Sequence, residues 1–573
     1  MNTFVRSMLP FLRWFPLRAD TLRADFIAGL TVALVLVPQS MAYAQLAGLP
    51  AYYGLYAAFL PVMVAALWGS SNQLGTGPVA VVSLLTASSL APFAEIGSEQ
   101  FVALAIMLAL LVGMVQLTLG VFKLGVVVNF LSHPVIVGFT NAAAMIIGLS
   151  QVNKLIGVPM GRSEHFIQDI WGVAQQIGET HLPTLAMGIT GIAIIWGIRR
   201  FAPKLPGVLI AVTFTTTVSW AIGFVTELGG QVVGQVPEGL PSFSLPSINI
   251  ELIGTLLTSA IVISLVGFME AISIAKAIAA KTKEKVDPNQ ELIGQGLSNI
   301  IGSFTHAFPV SGSFSRSAVN INAGAKTGMS SVFTGIFVLL TLLLLTPLLY
   351  HLPQAVLAAV IIMAVIGLIN FKAVAHAWHA NRHDGIASVV TFIATLAAAP
   401  HLDKGIMVGA ILAIVLYLYR TMTPRVAILG RFHDGTLRDA KVHSLPASDV
   451  VTAVRFDGRL YFANVSYFED AILEAVASNP EAPYLLVVGD AINEVDASGE
   501  EVIHHLVERL NSIGVVMLFS GLKKQVLDVM HATGLHSIIG ERRFFPTAEL
   551  ALTMIHDRAE NRDDDDALKP LAD

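Results

Sequence analysis

Apolar runs of membrane-spanning or near-spanning length recur about fourteen times between residues 27 and 421. No other feature restricts the fold as much, because backbone in a bilayer must satisfy its own polar groups, and runs of about 20 apolar residues do so as helices. A first set falls at roughly 27–47, 51–69, 78–92, 101–122, 127–150, 184–201 and 205–224; a second at roughly 253–279, 289–307, 313–323, 329–350, 354–370, 385–399 and 404–421. The chain of 573 residues is 54% hydrophobic and only 13% charged, about half the charged fraction of a soluble domain.

The basic residues test this count. Arg199, Arg200 and Lys204 end or follow the sixth run, Lys276, Lys281, Lys283 and Lys285 the eighth, Lys326 the tenth, Lys372 and Arg382 the twelfth, and Arg420, Arg425 and Arg431 the fourteenth. All fall on the side of the N-terminal Arg6, Arg13, Arg18 and Arg23, so both termini are expected in the cytoplasm. Residues 1–26, in which these arginines alternate with Phe, Leu and Trp, read as a cytoplasmic, interfacial segment rather than a signal peptide.

Each set of seven has its short run in third place, and each short run follows a Gly/Pro break: Gly75-Thr-Gly-Pro78 in one set, Pro309-Val-Ser-Gly312 in the other. Seven is odd, so the second set crosses in the opposite sense to the first. Two half-helices related in this way are expected to meet near the midplane and form a binding site there. The second carries Ser313, Ser315, Arg316 and Ser317. An arginine at that depth is unfavourable by roughly 2.5–3.5 kcal/mol on insertion scales and belongs beside a cavity or partner. With a free helix N-terminus and hydroxyl donors it suits an anion. The competing reading is a kinked helix whose serines bond its own backbone and whose Arg316 pairs with a carboxylate. Asn72 and Asn320 flank the breaks, where backbone satisfaction competes with substrate contact.

After Arg431 the composition changes. Short β-rich runs from Val450, Tyr484 and Gly514 alternate with helix-like stretches near 465–478, 499–513 and 521–533, the pattern of a soluble α/β domain. The expected division is a transmembrane domain at 27–421, a linker at 422–447, the α/β domain at 448–558 and an acidic disordered tail at 559–573. The net charge of −6 and the absence of cysteine argue against a nucleic-acid partner and remove disulfides and thiolate chemistry. The 16 histidines form no metal-ligand pattern. No nucleophile–base arrangement stands out, so an enzyme, a metal or another cofactor is not expected.

Pro38-Gln-Ser-Met-Ala-Tyr-Ala-Gln-Leu-Ala-Gly-Leu-Pro50, Asn289-Gln-Glu-Leu-Ile-Gly-Gln-Gly-Leu-Ser-Asn-Ile-Ile-Gly-Ser303 and Gly312-Ser-Phe-Ser-Arg-Ser-Ala-Val-Asn320 resemble the signatures of the sulfate permease (SulP) family of anion transporters, and the resemblance runs from about residue 15 to 556. It implies a seven-plus-seven inverted repeat with UraA-like core and gate domains, a C-terminal cytoplasmic STAS domain and a homodimer. It also implies an anion site at Gln39, Tyr43, Val79, Ala80, Ser313, Phe314, Ser315 and Arg316. At Val79 some relatives carry an aromatic residue. Ser498, in Asp496-Ala-Ser-Gly499, resembles the phosphorylatable serine of anti-sigma factor antagonists; the alternative role is a helix cap.

Glu270, in the eighth run, resembles the acid of proton-coupled plant-type members. Burial and Arg316 act on its proton in opposite senses, so its protonation can follow whether an anion screens Arg316. The alternative is a fixed Glu270–Arg316 ion pair. Importing one negative charge against a negative-inside potential costs roughly 2.3 kcal/mol per 100 mV, which favours coupling to a cation.

The sequence is therefore read as a secondary active transporter in a bacterial inner membrane, taking up sulfate or a similar oxyanion with protons (or Na+), in contact with membrane lipid. Dicarboxylate or bicarbonate symport and anion exchange are the alternatives within that class. A membrane anion sensor acting through the STAS domain is the alternative outside it.

Overall fold

In the computed structural model the described residues are 9–126, 132–161, 166–203, 205–237, 239–247 and 250–560. Arg6, Lys204, the first residues of the fifth run and all but two residues of the acidic tail lie outside them. The chain divides into two compact units, residues 1–413 and 414–573.

The first unit is helical. The first set of seven comprises α1 (Ala19–Leu46), α2 (Tyr52–Trp68), α3 (Ala80–Leu90), α4 (Glu99–Val121), α5 (His133–Ser150), α6 (Leu182–Phe201) and α7 (Gly207–Ala221). The second comprises α8 (Ile250–Thr282), α9 (Pro288–Ser303), α10 (Phe314–Asn322), α11 (Met329–Leu344), α12 (Gln354–Val365), α13 (Arg382–Ala398) and α14 (Leu402–Met422), which runs across the division between the units. Among the described residues seven helices are by length and composition apolar enough to cross a membrane, α1, α4, α8 and α14 among them; α2, α3, α7 and α11 are apolar but shorter. The twelfth run ends sooner than expected. Asn370 caps a separate short helix, Phe371–Ala380, by accepting from the Ala373 N–H at 3.0 Å.

The packing sorts the helices into two groups. α1–α4 pack with α8–α11, α5–α7 pack with α12 and α13, and α14 lies against α13, where Gly405 and Gly409 meet Thr395 and Thr391. Small residues permit the closest crossings. A Cβ on Gly54 of α2 would lie 2.0 Å from the Ser40 carbonyl oxygen of α1, and one on Gly113 of α4 would lie 2.7 Å from the Gly296 carbonyl oxygen of α9. Gly54→Ala should therefore destabilise the first unit by about 1–3 kcal/mol, despite alanine's better helix propensity. Gly172→Ala, whose Cβ meets nothing within 4 Å, should be neutral. Melting of detergent-solubilised protein followed by size exclusion separates the two. The groups meet through an apolar cluster holding Leu36, Tyr43 and Val62 from the first and Met187, Ile195 and Val356 from the second.

Two three-residue strands, β1 (Gly75–Gly77) and β2 (Ser311–Ser313), precede the half-helices α3 and α10. They pair antiparallel, Gly75 opposite Ser313 and Gly77 opposite Ser311. Because each half-helix leaves the C-terminal end of its strand, the antiparallel ladder sends α3 and α10 in opposite directions. The inverted repeat read from the sequence is thus realised at its centre.

In the N-terminal segment, residues Pro10–Trp14 form a turn of 3₁₀ helix, and α1 begins at Ala19, ahead of the start at residue 27 expected for the first run. Trp14 donates from Nε1 to Asn72 Oδ1 at 3.1 Å, and Phe11 meets Trp68 edge to face. These aromatic side chains thus find an apolar partner at the C-terminal end of α2 and a hydrogen-bonding one on the connection after it. Asp25 in α1 is fully buried and accepts from the N–H groups of Lys326 and Thr327 and from the Thr327 hydroxyl.

The second unit holds a six-stranded sheet in the order β4-β3-β5-β6-β7-β8, with β3 Arg425–Arg431, β4 Leu437–Asp439, β5 Val451–Asp457, β6 Tyr484–Val488, β7 Val516–Ser520 and β8 Phe544–Phe545. β5 to β8 are parallel; β3 pairs antiparallel with β4 and β5. Residues 422–447, expected to be a linker, thus supply two strands. β4, three residues long, is the edge strand, and β3, with the apolar stretch Val426-Ala-Ile-Leu429 between two arginines, lies between it and β5. Side-chain alternation divides the core. Leu485 and Val487 pack with α15 (Val465–Ser478), α16 (Ala497–Ser512) and α17 (Lys524–Thr533), while Leu486 and Val488 pack with α18 (Ala548–Glu560).

Candidate anion site

β1 and β2 are held by the chain on either side of them. Ser317 accepts from the Gly75 N–H at 2.8 Å and donates to the Ser313 carbonyl at 2.6 Å, stapling α10 to the opposite strand. Asn299 of α9 accepts from the Val310 N–H and donates to its carbonyl, imitating a further strand pair just before β2. The Ser311 hydroxyl donates to the Gly267 carbonyl of α8 at 2.7 Å. A Cβ on Gly312 would sit 2.9 Å from that of Ala271, and Gly77 adopts φ +141°, a conformation open to glycine. Both breaks in the sequence are therefore required by the ladder.

Each half-helix starts without a side-chain cap: Val79 is the N-cap of α3 and Ser313 that of α10. The first-turn N–H groups thus lack side-chain acceptors at two helix ends lining one cavity of about 1000 Å³. Gln39, Tyr43, Val79, Ala80, Ser313, Phe314, Ser315 and Glu270 all line it. Gln39 and Tyr43 come from the part of α1 that follows Pro38. Phe314 is 63% exposed, its ring lining the cavity. The Gln39 Oε1 atom is buried without a hydrogen-bond partner. Glu270 lies one turn beyond the Gly267 contact.

Arg316 is 0% exposed and lies behind this lining. Its Nη1 donates to the Pro78 carbonyl at 2.8 Å, directly before the start of α3, and its Nε and Nη2 are buried with no hydrogen-bond partner. The guanidinium therefore bridges the two half-helices with donor capacity to spare. Among the described residues no ion pair within 4.0 Å joins it to a carboxylate; Glu270 and Tyr43 lie in its electrostatic range. The fixed Glu270–Arg316 ion pair weighed from the sequence is not formed. A buried arginine with open donors beside two helix N-termini makes a locus of positive potential.

The flanking asparagines serve structure. Asn72 accepts from Trp14, and Asn320 donates to the Gln73 carbonyl at 3.2 Å. Sequence reasoning missed the Pro78 carbonyl and the pairing of Thr76 Oγ1 with Gln295 Nε2 at 2.9 Å. A carbonyl carries no residue signature; Gln295, a polar residue in the apolar ninth run, was the available signal. In the second unit Asp496 caps α16 by accepting from the Gly499 N–H at 2.9 Å. Ser498 sits in the first turn, half-buried, and is not the cap.

Fold and site together define a helical membrane carrier built as an inverted repeat around an anion-attracting centre. Residues 22–391 match the Sulfate permease family and residues 444–551 the STAS domain; the chain belongs to the sulfate permease family. It is 33% identical to sulfate transporter 4.1, chloroplastic, of Arabidopsis thaliana over 569 residues, covering 95% of this chain and 82% of that one. It is 31% identical to a probable sulfate transporter of Mycobacterium tuberculosis over 535 residues, 93% and 95% of the two chains. In fold it is similar to the murine solute carrier 26 family member A9 anion transporter in the inward-facing state, at a TM-score of 0.87 and 23% identity over 97% of this chain and 95% of that one. It is also similar to the transmembrane domain of a cyanobacterium bicarbonate transporter, BicA, at a TM-score of 0.58 and 21% identity over 70% and 98%.

Proposed function

We propose that the protein takes up sulfate or a similar small oxyanion by alternating access, driven by protons, with the anion held between the N-termini of α3 and α10 and with Glu270 as the coupling acid. The observation that carries this reading is the pair of uncapped half-helices in one cavity, backed by Arg316 with its unpartnered donors. Glu270 supports the coupling, because it lines the same cavity without being locked in an ion pair. An anion arriving near Arg316 offsets the field that favours a charged carboxylate, so anion binding and protonation of Glu270 assist each other. In the same reading Ile27, Thr31 and Arg199, which also line the cavity, lie at the helix ends that the Arg and Lys bias assigns to the cytoplasm, so the cavity opens inward. The reading includes a bacterial inner membrane, both termini in the cytoplasm, a homodimer by family resemblance, and Ser498 as a regulatory candidate.

Uptake of radiolabelled sulfate into proteoliposomes, with and without an inward proton gradient, tests it. Gradient-driven accumulation is expected. Binding without accumulation would instead support a sensor. Failure of sulfate to move while fumarate, bicarbonate or chloride does would keep the carrier and replace its substrate.

A further inference from the structure

A second cavity, of about 460 Å³, lies where the N-terminal segment crosses the connections after α2, α8 and α10. Arg13, Arg18, Lys285 and Lys326 line it, with Glu284 as the single carboxylate among the lining residues. It shares no lining residue with the carrier cavity. The four cations come from three separate stretches of chain, and among the described residues none forms an ion pair within 4.0 Å.

The nearby acids are engaged elsewhere. Glu284 accepts from Gln73 Nε2 at 3.1 Å, Asp287 caps α9 through the N–H groups of Asn289 and Gln290, and buried Asp25 holds the Lys326 and Thr327 backbone. Four positive charges against the one carboxylate of Glu284 leave an excess of positive charge around one concavity, which an anion offsets. The segment that brings two of them is nevertheless fastened in place by Trp14, whose ring packs so closely on Gly328 that a Cβ there would lie 2.3 Å from it.

We propose that this cavity is a binding site for a ligand bearing two neighbouring phosphate groups, which ties the N-terminal segment to the connections of the α1–α4 and α8–α11 group. Two arginines favour phosphate, whose oxygens accept the guanidinium fork in pairs. The volume falls within the roughly 300–1,000 Å³ of small-molecule sites and would be largely unfilled by one simple oxyanion. Such a ligand has two sources, a free diphosphate or the headgroup of a diphosphate lipid such as cardiolipin.

The test uses the full-length protein in phosphatidylcholine nanodiscs with radiolabelled inorganic pyrophosphate as probe, repeated with cardiolipin in the discs. Saturable, salt-sensitive binding is expected. It should weaken at least tenfold in the Arg13→Gln, Lys285→Gln double variant, strengthen severalfold in Glu284→Gln, and persist in Arg316→Ala, which separates this site from the carrier cavity. Displacement of pyrophosphate by cardiolipin would assign a lipid headgroup; binding indifferent to cardiolipin would assign a free diphosphate. Absence of pyrophosphate binding together with no co-purified cardiolipin, or unchanged binding in a double variant that melts like the parent, would overturn the proposal.

Discussion

Arg316→Ala is expected to weaken anion binding about 100-fold and to remove measurable uptake at low substrate concentration. A unit charge ~6 Å from the anion, at an effective dielectric near 20, contributes about 3 kcal/mol per anion charge, roughly 100-fold in Kd for a monoanion and so the lower bound for doubly charged sulfate. The fold should survive, because the side chain now holds a buried charge with two open donors and no carboxylate partner; removing it relieves a desolvation penalty as well as losing the bond to Pro78. Arg316→Lys keeps the charge but not the planar fork, so binding should fall between the two. Titration calorimetry with sulfate on the purified protein, beside a thermal melt, reads both halves. An alanine variant that binds as the parent does would remove Arg316 from the site.

Glu270→Gln should abolish accumulation and spare exchange. Glutamine fixes the side chain in a neutral state close in shape to the protonated acid, so the carrier can still reorient with anion bound but can no longer take its energy from a proton. One unit of inward pH gradient stores ~1.4 kcal/mol per proton. With the membrane potential clamped at zero, a carrier moving one proton per turn therefore concentrates its solute about tenfold, and the variant about onefold. Counterflow of labelled sulfate against unlabelled sulfate should persist in the variant. Loss of both activities would make Glu270 part of the anion site itself; retention of both would move coupling elsewhere.

Much of this arrangement was legible in the sequence because membrane architecture leaves few options. The fourteen apolar runs, the two short ones and the glycines that interrupt them each answer to a physical demand that a single chain states locally. Ser313 and Ser315 follow the second break, Val79 and Ala80 are the positions the family resemblance names after the first, and the structure lines one cavity with all four. What the sequence did not state depends on packing between distant segments. The fixed Glu270–Arg316 pair, the alternative that charge alone offered, gives way because Arg316 turns to the Pro78 carbonyl on the far side of the ladder. The partners of Trp14 and Phe11, Asn72 and Trp68, lie nearly sixty residues on and leave no local trace in the sequence. β3 and β4 read as a linker because β4 is a three-residue edge strand and β3 follows the last apolar run directly, so each takes its identity from the strands it joins.

The central claim is that the anion binds between the uncapped ends of α3 and α10. Since the chain has no cysteine, Ser315→Cys gives a single thiol at that position, on an exposed residue lining the cavity. The measurement is its rate of modification by a small charged thiol reagent, with and without sulfate and competing anions. The account predicts ready labelling that a transported anion slows in a saturable way, and loss of that protection when Arg316→Ala is added. Labelling that no transported anion slows would contradict it.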